Sequence, residues 1–246
     1  YDEYHGINVQ GTMNLLDASE NAGVSRFVYT STPSVVSYRS DIENGGQDIP
    51  YAESYPAHYP ATKAEAEQIV LTANSKHIST VALRPHLIFG PGDAHLLPRF
   101  VEGALKGRLR IIGDGSNKVD FTYVDNAAWA HIDAALALMN ADAPCAGKAY
   151  FISQGEPWAT DRLINGILGA AGMDPVSKYV PARLAWWVGA LMELAYRVFR
   201  LQGEPMMTRF LARQLSTAHW YDISAAKRDF GFEPHYTVEA GLALLA

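Results

Sequence analysis

Through residues 1–22 apolar side chains recur at helical spacing, with Val9, Met13 and Leu16 on one stripe and Gly23 behind them as a helix stop. The pattern then changes. Arg26-Phe27-Val28-Tyr29-Thr30 reads as a buried strand, an irregular Gly-, Ser- and Pro-rich segment follows, and residues 59–74 return to helical spacing. Ser79-Thr80-Val81-Ala82-Leu83 is a second short β-branched and apolar run, and Lys148-Ala149-Tyr150-Phe151-Ile152 a third. Helix and strand alternate, which predicts βαβ units around a parallel sheet with helices on both faces. Beyond Pro85 the rhythm loosens around Gly90-Pro91-Gly92 and Gly113-Asp114-Gly115, and helices are predicted over 126–139, 162–171 and 182–200. This second stretch reads as a smaller lobe. Ligands of an open parallel sheet gather at the carboxyl ends of its strands, which directs the search to Thr30–Pro33 and Arg84–Ile88.

Composition narrows the function classes. At 246 residues with 48% hydrophobic content, the chain can bury a substantial core. A formal charge of −6 with scattered Lys and Arg gives no footprint for nucleic acid. Only one cysteine is present, Cys145, and no Cys/His spacing resembles a zinc site, so the sequence points to a reducing compartment, with cytoplasm as the default, and to a metal-free mechanism. The opening residues do not read as a secretory signal. The most apolar run, Leu184 to Met192, falls short of the roughly 20 apolar residues that a membrane span requires.

Tyr59-Pro60-Ala61-Thr62-Lys63 sets a phenol and an ammonium four residues apart, on one face of a helix. A cation within a few ångströms lowers a phenol's pKa from about 10 by roughly 1 to 3 units, which makes Tyr59 a usable acid or base. By itself the spacing also fits a solvated surface pair. The hydroxyl cluster Thr30-Ser31-Thr32 at a strand end adds groups able to hold a carbonyl oxygen, although such residues also commonly satisfy a turn.

In order along nearly the whole chain, Asn8-Val9-Gln10-Gly11-Thr12-Met13-Asn14-Leu15-Leu16, Phe27 to Thr32, Tyr59 to Lys63 and Leu83 to Asp93 resemble the motifs of the extended short-chain dehydrogenases/reductases. The resemblance implies a Rossmann-like doubly wound α/β fold, its first strands missing, with a smaller C-terminal substrate lobe. Residues 1–90 would be the later half of the dinucleotide-binding domain, and 91–246 mainly the lobe, with about 118–153 returning to the core. It implies Tyr59 as general acid/base, Lys63 as its pKa-lowering partner, Thr32 (or the adjacent Ser31) as carbonyl donor, and Asn8 as a supporting residue. NAD or NADP would be held by Thr30, Ser31, Tyr59, Lys63, Pro85, His86, Leu87 and Ile88. The substrate would meet Thr32, Pro33, Ser34, His86 and Tyr123. Relatives commonly dimerise through helices matching residues 2–22 and 59–74.

Nucleotide-sugar enzymes of this family carry an Arg that clamps a diphosphate where this chain has Val119, ahead of Asp120-Phe121-Thr122-Tyr123. That motif resembles the 3β-hydroxysteroid dehydrogenase/isomerase branch instead. Segments 28–36, 147–157 and 208–221 resemble bacterial members acting on long-chain β-keto acids. A small hydrophobic β-keto acid or sterol-like substrate is therefore expected. A nucleotide-sugar epimerase/dehydratase and a non-catalytic nucleotide-binding relative are the alternatives. Leu184 to Met192 is open to three readings: an acyl pocket, a lipid or partner surface, or ordinary lobe core. The Gly-rich turn that receives the pyrophosphate does not occur, so the chain reads as N-terminally truncated, without the residues that separate NAD from NADP.

Overall fold

A computed structural model describes residues 1–36, 41–55, 57–94, 96–201, 203 and 205–245. In chain order its elements begin with α1 (Asp2–His5), a π-helical turn (Gly6–Gln10), α2 (Gly11–Asn21), β1 (Arg26–Thr30), β2 (Ile42–Gly45), α3 (His58–Thr72), β3 (Ser79–Pro85) and β4 (Ile88–Phe89). Next come α4 (Leu96–Leu105), β5 (Ile111–Ile112), β6 (Lys118–Val119), β7 (Thr122–Tyr123), α5 (Val124–Ala137) and β8 (Lys148–Ile152). The chain ends with β9 (Trp158–Ala159), α6 (Thr160–Ala170), β10 (Tyr179–Val180), α7 (Ala182–Phe199), α8 (Arg209–Gln214), β11 (His219–Tyr221), α9 (Ser224–Phe230) and α10 (Val238–Ala243). They divide into two units: Tyr1–Phe89 with Asp120–Glu156 and Tyr221–Val238, and Gly90–Val119 with Pro157–Trp220 and Glu239–Ala246.

The first unit is built on a parallel sheet of order β1-β3-β8, in which Thr30 pairs with Leu83 and Pro85 with Ile152. Central β3 is buried from Thr80 to Pro85, as a parallel strand covered on both faces must be. Side chains alternate across it. Val81 and Leu83 join Tyr150 and Ile152 against Ala130 and Ala134 of α5 and Phe230 of α9. Ala82 faces the other way, with Tyr29, toward Leu16 of α2 and Ala66 and Val70 of α3. Helices therefore cover both faces: the α/β class expected from the alternation forms, in the Rossmann-like manner that the family resemblance implies. A short parallel pair, β4 with β7, extends the same unit.

The second unit is made of helices and short ladders: β5 parallel to β10, and β6 antiparallel to β9 and parallel to β11 through Val119 and His219. Ile111, Ile164 and Leu168 form one small core; Ile112, Ala185 and Ala212 form another. Helix α7 crosses α8 closely because residue 189 is glycine: a Cβ there would lie 2.6 Å from the carbonyl carbon of Thr208. No helix among the described residues is long and apolar enough to cross a membrane.

Candidate active site

Three elements of the first unit deliver the candidate residues. Helix α3 carries Pro60 in its first turn, where a missing N–H costs nothing because that donor has no partner inside the helix. From there Tyr59 and Lys63 project on one face toward the end of β1. The ammonium of Lys63 donates to the carbonyl of Thr30 at 2.6 Å and sits 4.2 Å above the ring of Tyr29. Thr32 caps the following 3-10 turn by accepting from the Ser34 amide at 3.2 Å, and its hydroxyl lies 2.9 Å from that of Ser34. Thr32 also hydrogen-bonds the Tyr59 phenol, so satisfying the turn and reaching the phenol are not alternatives.

The electrostatics correct one expectation. Although 43% of the Tyr59 surface is open to solvent, crowding at the phenol end raises its pKa, by desolvation first; the hydrogen bond from Thr32 opposes the rise. Lys63 is not among the causes of that shift: one of its protons goes to the Thr30 carbonyl, and its charge lies over the ring of Tyr29. Burial instead lowers Lys63 itself to about 8, against the pull of Glu67.

The β3–β4 segment holds the other expected residues. Pro85 ends β3, and His86 is buried with its Nδ1 2.5 Å from Asp120, whose second oxygen accepts from the Tyr221 amide at 3.0 Å. Leu87 is held at φ 39°, left-handed backbone that a branched side chain adopts only when its surroundings impose it, and such strain clusters at ligand sites. Ile88 is exposed on the far side of that kink. Pro33 and Tyr123 are buried; Tyr123 lies between Phe89 and Tyr236 with its amide bonded to Gln154 at 2.8 Å, a packed position within this unit. Asn8, in the π turn, donates to the Thr62 hydroxyl at 3.0 Å and so ties that turn to α3. The hydroxyl of Ser31 is buried without a hydrogen-bond partner.

Sequence reasoning missed the support behind this face. Arg84 of β3 grips Glu67 of α3 through two buried hydrogen bonds of 3.0 and 2.6 Å, and the half-buried Tyr51 hydroxyl adds a third at 2.5 Å. Nor was Tyr29 singled out, although its ring carries the Lys63 charge. Thr30 was named, but not its hydroxyl's bond to His131 at 2.8 Å. Helical spacing from Lys63 to Glu67 was the one available signal, since both lie four residues apart on α3.

With that geometry in view, comparison with known proteins is decisive on family. The model of the 3-beta hydroxysteroid dehydrogenase/isomerase family matches residues 1–182. The chain belongs to that family. Among its relatives, the 2-alkyl-3-oxoalkanoate reductase of Stenotrophomonas maltophilia is 52% identical over all of this chain and 74% of its own length. The protein of the same name from Shewanella oneidensis is 44% identical over 99% of this chain and 65% of its own length. At the level of fold, the dTDP-glucose 4,6-dehydratase of Bacillus anthracis in complex with NAD superposes with a TM-score of 0.66 at 23% identity, covering 98% of this chain and 66% of that one. A member of a dehydrogenase family is an oxidoreductase by descent, and the α/β architecture of the first unit agrees with it.

Proposed function

We propose that the protein interconverts a ketone and a secondary alcohol on a hydrophobic β-keto acid or sterol-like substrate, using NAD or NADP. The observation that carries this reading is the convergence of the Tyr59 phenol, the Thr32 hydroxyl and the Lys63 ammonium at the carboxyl edge of a parallel sheet. The unit bearing them acts as the dinucleotide domain and the second unit as the substrate lobe.

The residues present suit the nicotinamide half of such a cofactor. Lys63 has two ammonium protons beyond the one given to Thr30, enough to hold ribose hydroxyls. The buried, unpartnered Ser31 hydroxyl is a donor of the kind a ligand completes, and the strained Pro85–Ile88 segment lines the same sheet edge. When bound, the cofactor supplies or accepts hydride. In reduction, the hydroxyls of Thr32 and Tyr59 orient the carbonyl oxygen, and the Tyr59 proton passes to that oxygen as it becomes an alkoxide. A phenol whose pKa is raised stays protonated at neutral pH, which favours donation; in oxidation the same oxygen must first lose its proton. Lys63 meets the phenolate charge that forms.

Two features favour an alkyl β-keto acid over a sugar nucleotide: 52% identity to a protein named as a 2-alkyl-3-oxoalkanoate reductase, and a buried Val119, 4% exposed and paired with Trp158, where a diphosphate clamp needs an arginine. The test follows NAD(P)H oxidation by the whole protein with a 2-alkyl-3-oxo acid, a 3-ketosteroid and dTDP-glucose. The oxo acid is expected to turn over fastest, and Tyr59→Phe to lose about 10²- to 10⁴-fold in kcat with cofactor affinity retained. Preference for dTDP-glucose, or full turnover by Tyr59→Phe, would falsify the reading.

A further inference from the structure

A half-buried ammonium needs groups that offset its lost hydration, and for Lys63 the nearest acid on its own helix is already engaged. Glu67, one turn along α3, gives its oxygens to Arg84 and Tyr51 and acts on Lys63 only through space. The end of β1 touches the ammonium directly. The Thr30 carbonyl accepts one of its protons at 2.6 Å, and the centre of the Tyr29 ring lies 4.2 Å beneath it, within reach of a cation–π attraction. Tyr29 is 8% exposed, so little water screens that contact. Burial also pushes the Tyr29 phenol above its ordinary range, so the ring stays neutral and is not a second acid/base.

Successive residues of a strand point to opposite faces, and here each face supplies one grip. Tyr29 packs with Leu16 of α2 and Ala66 and Val70 of α3, which fixes the plane of its ring under Lys63. Thr30 turns its hydroxyl to α5, where it lies 2.8 Å from Nε2 of His131. The other ring nitrogen, Nδ1, is 2.7 Å from the Ala127 carbonyl, which can only accept. Nδ1 therefore carries a proton, and Nε2 of the neutral ring accepts from Thr30. With a second proton on the ring, Nε2 donates and the hydroxyl accepts, so the bond outlasts titration of His131. The titratable groups around the ammonium are thus Tyr59 and Glu67 on α3, Tyr29 on β1 and, behind Thr30, His131 on α5; Tyr4 of α1 faces Tyr59. We propose that Tyr29 and His131 are positioning residues of the reduction: Tyr29 holds the Lys63 ammonium over its ring face, and His131 anchors Thr30 so that its carbonyl stays in line to receive that ammonium. The inference rests on the reading that Lys63 meets the charge formed on Tyr59.

Turnover of a 2-alkyl-3-oxo acid by the whole protein, at saturating NAD(P)H, tests both through the pH at which the rate breaks. In the wild type the break is expected at about pH 8, where Lys63 loses its proton. Tyr29→Leu keeps the position apolar but removes the ring face, and should move the break down by about half to one pH unit. Tyr29→Phe retains the ring and should retain the break. Phenylalanines bearing progressively more fluorine at position 29 weaken the ring face at nearly constant volume, and the break should fall stepwise along that series. A ring that only packs would not produce this order, and the series does not depend on Tyr29→Leu folding well. His131→Leu should lower kcat about three- to tenfold with KM little changed, the loss of a single hydrogen bond. His131→Gln, whose carboxamide oxygen replaces Nε2 as acceptor, should recover most of that loss. A wild-type rate without a break up to pH 10 removes Lys63 from the chemical step, and this inference with it. A wild-type break that neither Tyr29→Leu nor the fluorinated series moves overturns the platform and leaves proton donation by Tyr59 standing. Unchanged kcat in His131→Leu, or equal losses in the Leu and Gln variants, overturns the anchor.

Discussion

Helices α3 and α7 invert the usual assignment of polar and apolar residues, and they do so for opposite reasons. Helix α3 buries Thr62 and Glu67 together with Pro60, Ala64, Ala66 and Val70. Helix α7 is far more apolar in sequence, yet buries only Ala185 and Gly189. A buried charge survives only where something neutralises it, and Glu67 has Arg84 and Tyr51. An exposed apolar stripe survives only where it is covered part of the time. Each departure from hydrophobic-inside thus points to a requirement beyond folding: on α3 the fixing of Tyr59 and Lys63 against β1, on α7 a surface to bind.

The largest effect expected from breaking this contrast is at Glu67. Glu67→Ala leaves the Arg84 guanidinium buried without its carboxylate, a change that typically costs about 3–5 kcal/mol. Urea unfolding of the first unit should show a loss of that order. Replacing Glu67 and Arg84 together by Met should recover most of it, because buried ion pairs often break even against well-packed apolar residues. If the double replacement restores stability but not activity, the pair serves to position α3. A loss under 1 kcal/mol for Glu67→Ala would mean that water reaches this pair, and the contrast with α7 would weaken.

Gly189→Ala probes the other helix with a smaller expected effect. The added methyl would lie 2.6 to 2.8 Å from backbone atoms of Thr208 and Arg209, which cannot swing aside as a flexible side chain would. Overpacking of this kind costs about 1–3 kcal/mol, read as a lower thermal midpoint. Exposed positions on the same helix, such as Leu191, should tolerate Ser within about 0.5 kcal/mol. Equal sensitivity at Gly189 and Leu191 would show that the stripe is packed in solution.

How much of this was legible beforehand depends on the range of the interaction. β1, β3 and β8 stood out as short β-branched and aromatic runs, although only β3 is buried along nearly its whole length and β1, expected to be buried, buries Tyr29 alone; α3 and α7 stood out because their period spans several turns. The two-residue strands β4 to β7, β9 and β10 are too short to carry a period. Tyr59, Lys63 and Thr32 were singled out by local spacing and a strand end, and their expected roles came from the family resemblance. The Arg84–Glu67 and His86–Asp120 pairs join residues 17 and 34 positions apart across different elements, and no local pattern encodes that. The direction of the Tyr59 shift was misjudged for a related reason: spacing tells which groups share a helix face, not which acceptor an ammonium chooses. On α7, an apolar period looks the same whether it meets a core or water, and only the smallness of Ala185 and Gly189 marked the packed side.

The last comparison uses pH, because Lys63 and Tyr59 on one helix are shifted in opposite directions from their ordinary values. Lys63 is lowered to about 8 by burial, so it is an ammonium below that value and an amine above it. As Tyr59 gives up its proton during reduction, the phenolate that forms depends on the ammonium for stabilisation. Tyr59 itself is raised above the ordinary phenol value and remains a proton donor throughout this range. The reduction rate is therefore expected to be level up to about pH 8 and then to fall about tenfold per unit, the slope of losing a single proton. A rate that stays level to pH 10 would assign the break to the phenol and remove Lys63 from the chemical step.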